Sequence, residues 1–399
     1  MKNSNKILKF NINSHQESYK DLLDKLFPEE IAAKTIAVHS QITEYFPTKL
    51  QKLNSLAKKL GLNNIWVKDE SSRFNIKAFK ALGSSYAIFN LLKRAVDGDN
   101  NFQYKDLHKP EIRQKLGNLT LATTTDGNHG KGVAWVAKKL GYPAVVYMPK
   151  GTVPARIKAI EELGAKVEVI DSNYDMAVNK LAKDAAINNW TTISDTSWDG
   201  YEEIPIWVQQ GYCTLFQEAQ EELNKTNEKP THVFIQAGVG ALAVAAVGYY
   251  LRYFGDHPPK FIILEPHNAA CLFESSKTED GHAFVVDGDH NTIMAGLACG
   301  VPSPTAWPLI KAAATAFISS DDILTKKGIK RYANPIDTDP KVISGESGAI
   351  GLGVIEEIMS NQKFSYIRQE LRLDQNSNIL MVNTEGDTDP ENYQNILNN

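Results

Sequence analysis

The sequence predicts an α/β protein with two domains, each built on a parallel sheet. Short apolar segments alternate along the chain with amphipathic segments of helical length, as expected when helices connect parallel strands. Several apolar segments contain almost no polar residue, which is typical of strands buried on both faces of a sheet. The length of 399 residues is too great for one small core and suits two domains.

Eight short apolar segments are predicted as strands. They are NIWVKDE, NLTLATTT, AVVYMPK, KVEVIDS, TTISDTS, HVFIQAG, FIILEP and NILMVNT. Five amphipathic segments between them are predicted as helices, namely AFKALGSSYAIFNLLKRAV, GKGVAWVAKKLG, PARIKAIEELGAK, YDMAVNKLAKDAAIN and PIWVQQGYCTLFQEAQEELN. Gly141 and Gly164 are predicted to end two of these helices, because glycine is the common C-terminal cap. The polar stretch from Asp97 to Arg113 is predicted to be an irregular surface insertion.

The order of the segments predicts how the domains divide. Residues 118–199 hold four strand candidates and three helix candidates, and the remaining strands lie on both sides. We therefore expect a smaller domain, residues 89–200, inserted into a larger domain formed by residues 1–88 and 201–399. Ligands of open α/β sheets bind beyond the carboxyl ends of the strands, so the active site is expected in the cleft between the domains.

Composition narrows the class of partner. The net charge of −4 gives no basic surface for nucleic acid, and no apolar run reaches the roughly 18 residues of a membrane helix. The first 20 residues lack the pattern of a secretory signal. Three cysteines, Cys213, Cys271 and Cys299, do not form a disulfide scaffold and suit a reducing compartment. We expect a cytoplasmic protein that binds neither nucleic acid nor membrane.

Lys80, in AFKALG, is the first candidate catalytic residue. Its neighbours Phe79 and Leu82 predict a partly buried helix start. Burial disfavours the ammonium form and lowers the pKa of a lysine, as a lysine that forms an imine requires. Most lysines are solvated, so this motif alone does not show that Lys80 is catalytic. The motifs that follow it along the chain support that prediction.

The segment QAGVGAL joins the strand candidate HVFI to an apolar helix. Gly238 and Gly240 allow backbone N–H groups to approach a phosphate at the helix N-terminus, and Val239 and Ala241 complete the loop. The alternative is a tight turn between strand and helix with no ligand.

Four segments in this order are similar to active-site parts of pyridoxal-phosphate (PLP) enzymes of fold type II, the tryptophan-synthase type. They are AFKALG, TTTDGNHG, QAGVGAL and NTEGD. With DTSWDGY, MAGLACG and SGESGA, the pattern closely resembles the diaminopropionate ammonia-lyases from about Lys68 to Asp389. The resemblance implies an α/β fold of type II, PLP as cofactor, a small amino-acid substrate and a homodimer.

The resemblance also implies roles for single residues. Lys80 is expected to hold the cofactor aldehyde as the internal aldimine, although Ala78 stands where many relatives have serine. Asn128 is expected against the 3′-oxygen, the loop 238–241 at the phosphate and Thr384 at the pyridine nitrogen. A neutral hydroxyl does not keep that nitrogen protonated, so the cofactor is a weaker electron sink and prompt β-elimination is favoured. The alternative for Thr384 is a hydroxyl that only ends a strand.

Two carboxylates point to the substrate. Asp126 stands where the related dehydratases have serine, in a loop that grips the substrate carboxylate. An extra anion there is unfavourable beside a carboxylate but favourable beside an extra ammonium group, so a β-amine is predicted. The resemblance implies that Asp126 and Asp195 act on opposite faces, so that both enantiomers of 2,3-diaminopropionate give pyruvate and two ammonia. The alternative is that both carboxylates serve in caps or turns.

Three further expectations concern the surroundings of these residues. His129 is expected to position its loop rather than to act as the base. No metal is predicted, because Cys271 stands where some dehydratase relatives carry a second acid after Glu265. Cys271 and Cys299 lie in loops that border the larger domain, and a disulfide between them is a hypothesis.

Two rival functions remain open at this point. The first is a serine or threonine dehydratase, against which Asp126 argues. The second is a binding or regulatory protein that has kept the fold without catalysis, against which the complete set of motifs argues. A nicotinamide dehydrogenase is a weaker alternative, because no strand candidate is followed by GxGxxG and a distal acid.

Overall fold

The computed structural model describes residues 7–97, 101–125, 127–172 and 174–399. The chain divides into two compact units. Unit 1 comprises Met1–Pro28, Pro47–Ser72 and Leu215–Asn399, and unit 2 comprises Glu29–Phe46 and Arg73–Thr214.

The described residues form strands and helices in a largely alternating order. The strands are β1 (Leu8–Ile12), β2 (Leu50–Lys52), β3 (Asn64–Asp69), β4 (Leu121–Thr124), β5 (Ala144–Pro149), β6 (Lys166–Ile170), β7 (Thr191–Thr192), β8 (His232–Gln236), β9 (Lys260–Pro266), β10 (Ala316–Ser320) and β11 (Asn378–Asn383). The α-helices are α1 (Lys20–Leu26), α2 (Ile31–His39), α3 (Asn54–Leu60), α4 (Lys80–Ala95), α5 (Pro110–Leu116), α6 (Asn128–Leu140), α7 (Pro154–Glu161), α8 (Tyr174–Asn188), α9 (Glu203–Gly211), α10 (Cys213–Asn224), α11 (Ala241–Phe254), α12 (Cys271–Ser275), α13 (Trp307–Ala313), α14 (Asp322–Ala333), α15 (Glu346–Ser360), α16 (Ser365–Leu371) and α17 (Pro390–Asn398). None of the helices in these ranges is long and apolar enough to cross a membrane.

Unit 1 is built on a seven-stranded sheet in the order β1-β10-β9-β8-β11-β3-β2. The five inner strands run parallel, and β1 and β2 are antiparallel edge strands. The parallel neighbours β8 and β11 are almost wholly buried. Because parallel strands end at the same edge, the residues that follow β8 and β11 come close together.

Unit 2 is built on a four-stranded parallel sheet in the order β6-β5-β4-β7. Helices α6 and α8 pack on its strands, and α4 packs on α6, α9 and α2. Ten residues of α4 are buried, so this helix belongs to the core of unit 2.

The division into units differs from the predicted domain limits. Residues 29–46, 73–88 and 201–214, which were assigned to the larger domain, lie in unit 2. The physical reason is the packing of α4 against α6 and α9, which joins segments on both sides of the predicted boundary. Sequence order does not reveal this contact.

The eight predicted strands are confirmed, but β1, β2 and β10 were missed. β1 is an edge strand that reads LKFNI with polar residues between the apolar ones, β2 has only three residues, and β10 ends in two serines. The helix predicted for residues 205–224 is two helices, α9 and α10, with Tyr212 between them. The stretch from Asp97 to Arg113 is not irregular throughout, since it contains a 3₁₀ turn with buried Tyr104 and Leu107 and the start of α5.

The predicted glycine caps differ between the two helices. Gly141 is the left-handed C-cap of α6, with φ of 68°, as predicted. α7 ends earlier than predicted, at Glu161, and Gly164 follows in a turn with φ of 88°.

Candidate active site

Lys80 is the first residue of α4 and lies in unit 2. The segment before it contains three residues in the left-handed region, Phe74, Asn75 and Lys77, with φ of 50°, 59° and 59°. Residues other than glycine seldom adopt this conformation. Such strain occurs preferentially at functional sites, where the surrounding structure maintains it.

The backbone around Lys80 is fixed by close contacts with two helices. A Cβ atom at Gly132 of α6 would lie 3.0 Å from the backbone nitrogen of Ala81. A Cβ atom at Gly211 of α9 would lie 2.6 Å from the carbonyl oxygen of Leu82. Only glycine allows α6 and α9 to approach this closely, so the start of α4 has little freedom to move.

The Lys80 amine donates a hydrogen bond to Oδ2 of Asp195. Both side chains are largely buried, with 15% and 7% of their surface exposed. The hydroxyl of Tyr174, at the start of α8, donates to Oδ1 of the same carboxylate at 3.3 Å. Lys80 and Asp195 were both predicted as active-site residues, and the structure brings them into direct contact.

The ionisation of Asp195 reflects these contacts. Burial favours its neutral form, but interactions with His129 and Lys80 and hydrogen bonds from Lys80 and Tyr174 outweigh burial and hold the pKa of Asp195 below its usual range. Asp195 is therefore ionised at neutral pH.

Tyr201 fixes the loop that carries Asp195. Its hydroxyl accepts a hydrogen bond from the backbone nitrogen of Ser194 at 3.0 Å and donates to the carbonyl oxygen of Thr192 at 2.7 Å. Its ring stacks on Trp198 with the centroids 4.1 Å apart. The loop is thereby held on both sides of Asp195.

His129 is buried beside the same carboxylate. Its Nε2 lies 2.9 Å from the carbonyl oxygen of Ile193, which can only accept, so Nε2 carries the hydrogen. Burial lowers the pKa of His129, and the neighbouring Asp195 carboxylate opposes this shift. Its Nδ1 is 3.8 Å from Oδ2 of Asp195. Through its hydrogen bond to Ile193, His129 helps to fix the position of the loop that carries Asp195.

The start of α6 carries another predicted residue of unit 2. Asn128 is the first residue of α6 and follows Gly127, whose φ of 152° only glycine adopts without strain. The backbone nitrogen of Gly127 donates to Oγ1 of Thr125 at 2.9 Å. Asp126 lies outside the described residues, so its role remains a prediction.

The glycine loop of unit 1 joins β8 to α11. Gly240 precedes α11 with φ of 103°, and as a glycine it has no side chain with which to cap this helix. The first N–H groups of a helix lack intrahelical partners and are suited to bind a phosphate. A Cβ atom at Gly238 would lie 3.2 Å from both Cys299 Sγ and the carbonyl oxygen of Gly296, so a side chain there would crowd the loop. Val239 and Ala241, the other two predicted residues, are buried.

Thr384 lies in the same unit, directly after β11. Its hydroxyl oxygen is 3.4 Å from Nε2 of Gln236, the residue that ends β8. Only 4% of Thr384 is exposed. The parallel pairing of β8 and β11 thus brings the start of the glycine loop and the predicted ring-nitrogen partner together.

Two cysteines border Gly238. Cys271 Sγ lies 3.8 Å from the carbonyl oxygen of Gly238, and Cys299 Sγ faces the position of its missing side chain. Both cysteines are thiols, so the structure does not contain the hypothesised disulfide. Burial, reinforced by the neighbouring Glu265 carboxyl, raises the pKa of Cys271 well above its ordinary value.

Glu265 lies beside Cys271 at the end of β9. Its two carboxyl oxygens accept hydrogen bonds from the backbone nitrogens of Leu272 and Phe273 at 2.8 and 2.7 Å. Burial raises the pKa of Glu265 to about 8, although these hydrogen bonds act in the opposite direction. No group of three or more His, Cys, Asp or Glu residues suited to a metal occurs in the described part of the chain.

These residues suit pyridoxal phosphate. Within unit 2, a buried amine lies beside a carboxylate. Within unit 1, two glycines precede the first N–H groups of α11, and a buried hydroxyl follows β11. Tyr174, Tyr201 and Gln236 were not predicted from the sequence. Tyr201 lies in the quoted segment DTSWDGY and Gln236 opens QAGVGAL, but nothing in the spacing indicated that they contact Ser194 and Thr384.

Comparison with known proteins places these features in one family. Residues 42–370 match the pyridoxal-phosphate dependent enzyme family. The chain is 42% identical to diaminopropionate ammonia-lyase of Salmonella typhimurium over 98% of both chains. The crystal structure of diaminopropionate ammonia lyase from Escherichia coli in complex with D-serine has a TM-score of 0.90 and 39% identity, covering 98% of this chain and 96% of that chain. The same E. coli enzyme with an aminoacrylate-PLP azomethine reaction intermediate has a TM-score of 0.89, again at 39% identity and with the same coverage. These matches confirm the predicted α/β fold of type II.

The pKa of Glu265 predicts a pH dependence of stability. In the unfolded chain this carboxyl titrates near 4.5, whereas in the folded protein its pKa is about 8. The folded state retains a proton that the unfolded state releases, so this contribution to stability is complete below pH 4.5 and is lost as the pH rises through 8. We expect Glu265→Gln to remove this part of the decline, measured as unfolding midpoints in denaturant across that range. Glu370→Gln, at an exposed position of α16, is the control, and a variant that declines as steeply as the wild type would contradict the assignment.

Proposed function

The chain belongs to the pyridoxal-phosphate dependent enzymes and, among them, to the diaminopropionate ammonia-lyases, and we propose that it converts 2,3-diaminopropionate and water to pyruvate and two ammonia. The observation that carries the proposal is the buried contact between the Lys80 amine and the Asp195 carboxylate. An α,β-elimination needs an amine that can hold the cofactor and a base for the Cα proton, and these two groups lie together in unit 2.

The cofactor is pyridoxal phosphate, which supplies an aldehyde that condenses with amines and a ring that takes up the electron pair released at Cα. We assign the Lys80 amine to the aldehyde and Asn128 to the neighbouring ring oxygen. The backbone of residues 238–241 is assigned to the phosphate, supported by the left-handed Gly240 that leads directly into α11. Thr384 is assigned to the ring nitrogen, supported by its buried hydroxyl.

Asp195 is proposed to remove the Cα proton of the substrate. Its carboxylate is ionised at neutral pH, as a base must be, and Tyr174 and Tyr201 hold it in place. The Cα electron pair then forms the Cα–Cβ double bond as the Cβ–N bond breaks. The β-amine leaves as ammonia rather than as an amide ion, so it must receive a proton.

Lys80 and the protonated aspartic acid are the groups that can supply this proton. Once the substrate amine has replaced it on the cofactor, Lys80 is again an amine, and the structure shows this amine in contact with Asp195. General acid–base help of this kind contributes roughly 10²–10⁴-fold to a rate. The Lys80 amine would then take the place of aminoacrylate on the cofactor aldehyde, and the freed aminoacrylate hydrolyses with one water to pyruvate and the second ammonia.

We further propose that both enantiomers react. In this assignment Asp195 serves one face of the substrate and Asp126 the other, so each enantiomer has its own base. The support is the presence of a carboxylate at position 126, where the related dehydratases carry serine, together with the placement of Asp195 beside Lys80.

The proposed reaction predicts a product ratio. With PLP present, D- and L-2,3-diaminopropionate should each give two ammonia per pyruvate, and L-serine should give little of either. Lys80→Ala should abolish both products and the absorbance of the imine that Lys80 forms with the cofactor, because the amine is lost. Pyruvate and ammonia are measured with coupled dehydrogenase assays. Turnover of L-serine or L-threonine in preference to diaminopropionate would instead support a dehydratase.

The assignment of faces predicts opposite enantiomer preferences in two variants. Asp126→Asn and Asp195→Asn should each lose turnover of one enantiomer by roughly 10²–10⁴-fold, because an amide cannot accept the Cα proton. The other enantiomer should retain most of its rate. kcat and KM are measured for D- and L-diaminopropionate separately, with Asp256→Asn, at an exposed position after α11, as the control. Equal losses on both enantiomers in both variants would show that the faces are wrongly assigned.

The protein is also proposed to act as a homodimer in the cytoplasm. The support is the family resemblance for the dimer and the reduced state of Cys213, Cys271 and Cys299 for a reducing compartment. Light scattering on the eluting peak of a sizing column should give twice the chain mass. A mass of one chain at micromolar concentration would rule out the stable dimer.

A further inference from the structure

The Asp195 carboxylate of unit 2 lies between two basic side chains. The Lys80 amine donates a hydrogen bond to Oδ2, and Nδ1 of His129 lies 3.8 Å from the same oxygen. Only 2% of the His129 side chain and 7% of the Asp195 side chain are exposed, so the carboxylate charge needs a partner within the protein. The other titratable groups of the described residues that interact with this charge are phenols, namely those of Tyr174, Tyr201 and Tyr212. Of these five groups, Lys80 and His129 are the ones that can become cations.

The surroundings of His129 suit an imidazole ring with a hydrogen on both nitrogens. Nε2 donates to the carbonyl oxygen of Ile193. Nδ1 is buried and has no hydrogen-bond partner among the described residues, and Asp195 is the carboxylate beside it. A neutral ring would present a lone pair at Nδ1, which a carboxylate repels, whereas an imidazolium presents an N–H that a carboxylate accepts. At 3.8 Å the two atoms are too far apart for a hydrogen bond, and a proton on Nδ1 would draw them together.

Bond formation between Lys80 and the cofactor would remove the present cation from Asp195. An ammonium has no lone pair, so Lys80 must lose a proton before its nitrogen can attack an aldehyde carbon. The aldehyde oxygen then leaves as water, and the nitrogen, now doubly bonded to that carbon, keeps at most one hydrogen where the ammonium had three. A buried carboxylate that loses its partner is strongly unfavourable unless another cation replaces it.

We propose that His129 stores the proton that Lys80 gives up on bonding to the cofactor and returns it through Asp195 when the substrate amine displaces Lys80. The inference rests on the proposed function, in which Lys80 holds the cofactor aldehyde. Burial lowers the pKa of His129, Asp195 raises it and the Lys80 ammonium lowers it. Loss of the ammonium therefore removes one of the causes that disfavour a proton on the ring.

His129 is in this account a positioning residue that acts through Asp195. While Lys80 is bonded to the cofactor, the imidazolium keeps the buried carboxylate ionised. When the substrate amine takes the place of Lys80, the proton moves from Nδ1 to Asp195 and on to the Lys80 nitrogen, which becomes an ammonium again. Asp195 is then free to take the Cα proton, and Lys80 holds the proton that the departing β-amine needs.

The test is the protonation of the His129 ring with and without pyridoxal phosphate. Protein labelled with ¹⁵N in its histidine rings is studied by solid-state NMR at neutral pH, first as apoprotein and then with pyridoxal phosphate added. A neutral ring gives two widely separated ¹⁵N resonances, whereas the two resonances of an imidazolium lie close together. The His129 pair should be widely separated in the apoprotein and converge when the cofactor binds. His129→Gln identifies this pair among the nine histidines.

Substitution of Lys80 tests the same link without any cofactor. In apoprotein carrying Lys80→Met, the His129 pair should converge, because Asp195 has lost its cation. Addition of Asp195→Asn to this variant should restore the wide separation, because the carboxylate is gone as well. Lys260→Met removes a partly buried lysine that bonds to the carbonyl oxygen of Leu371 in unit 1, and this matched control should leave the pair unchanged.

Two results would overturn the proposal. One is a His129 pair that stays widely separated when the cofactor binds, which would mean that Asp195 keeps the proton or that the cofactor supplies the cation. The other is a pair that still converges in the variant with both Lys80→Met and Asp195→Asn. The wild-type comparison needs no substitution, so it carries the test if Lys80→Met does not fold. A wild type that takes up no pyridoxal phosphate would refute the proposed function itself, whereas a bound cofactor with an unchanged His129 pair would refute only the role of His129.

Discussion

The buried contact between the Lys80 amine and the Asp195 carboxylate imposes the strictest demand on unit 2. A charge removed from water is costly unless a partner of opposite charge and further hydrogen bonds compensate it. Each group provides the other's partner, and Tyr174 provides the additional donor to Asp195. The two residues are 115 positions apart, so the pair forms only when α4 and the loop after β7 are both held rigidly. Gly132 and Gly211 allow the close packing that fixes the start of α4. Tyr201 and His129 fix the loop after β7 through their hydrogen bonds to its backbone.

Unit 1 is also built on a sheet with parallel inner strands, but it meets a different structural requirement. Its proposed functional groups are backbone N–H groups and one neutral hydroxyl, so burial of a charge is not the difficulty. The requirement is that the ends of two parallel strands stay in register. β8 pairs directly with β11, and the amide of Gln236 bonds to the carbonyl oxygens of Val382 and Ser347. These contacts hold the glycine loop and Thr384 at fixed positions relative to each other.

Glu265 illustrates why a motif does not fix a role. It lies at the end of β9, and both of its carboxyl oxygens accept hydrogen bonds from backbone N–H groups of α12. Burial then favours the protonated acid. The thiols of Cys271 and Cys299 likewise lie beside Gly238 without forming a disulfide. Neither the raised pKa of Glu265 nor the state of these two thiols could be derived from residue type and spacing alone.

The parallel α/β architecture, eight of the strands, and the candidate residues Lys80, Asp195, Thr384 and the glycine loop could all be predicted from the amino-acid sequence. Burial on both faces of a sheet, helical periodicity and glycine-rich turns leave local patterns, and these patterns can be read along the chain. The limits of the two units, the strands β1, β2 and β10, and the contacts of Tyr174, Tyr201 and Gln236 could not be predicted in this way. Short strands and edge strands carry a weak apolar pattern, and a polar side chain has the same letter whether it meets solvent or a partner 146 residues away, as Gln236 meets Val382. Which groups meet depends on the packing of α4 and the pairing of β8 with β11, and these are interactions between segments rather than properties of any one of them.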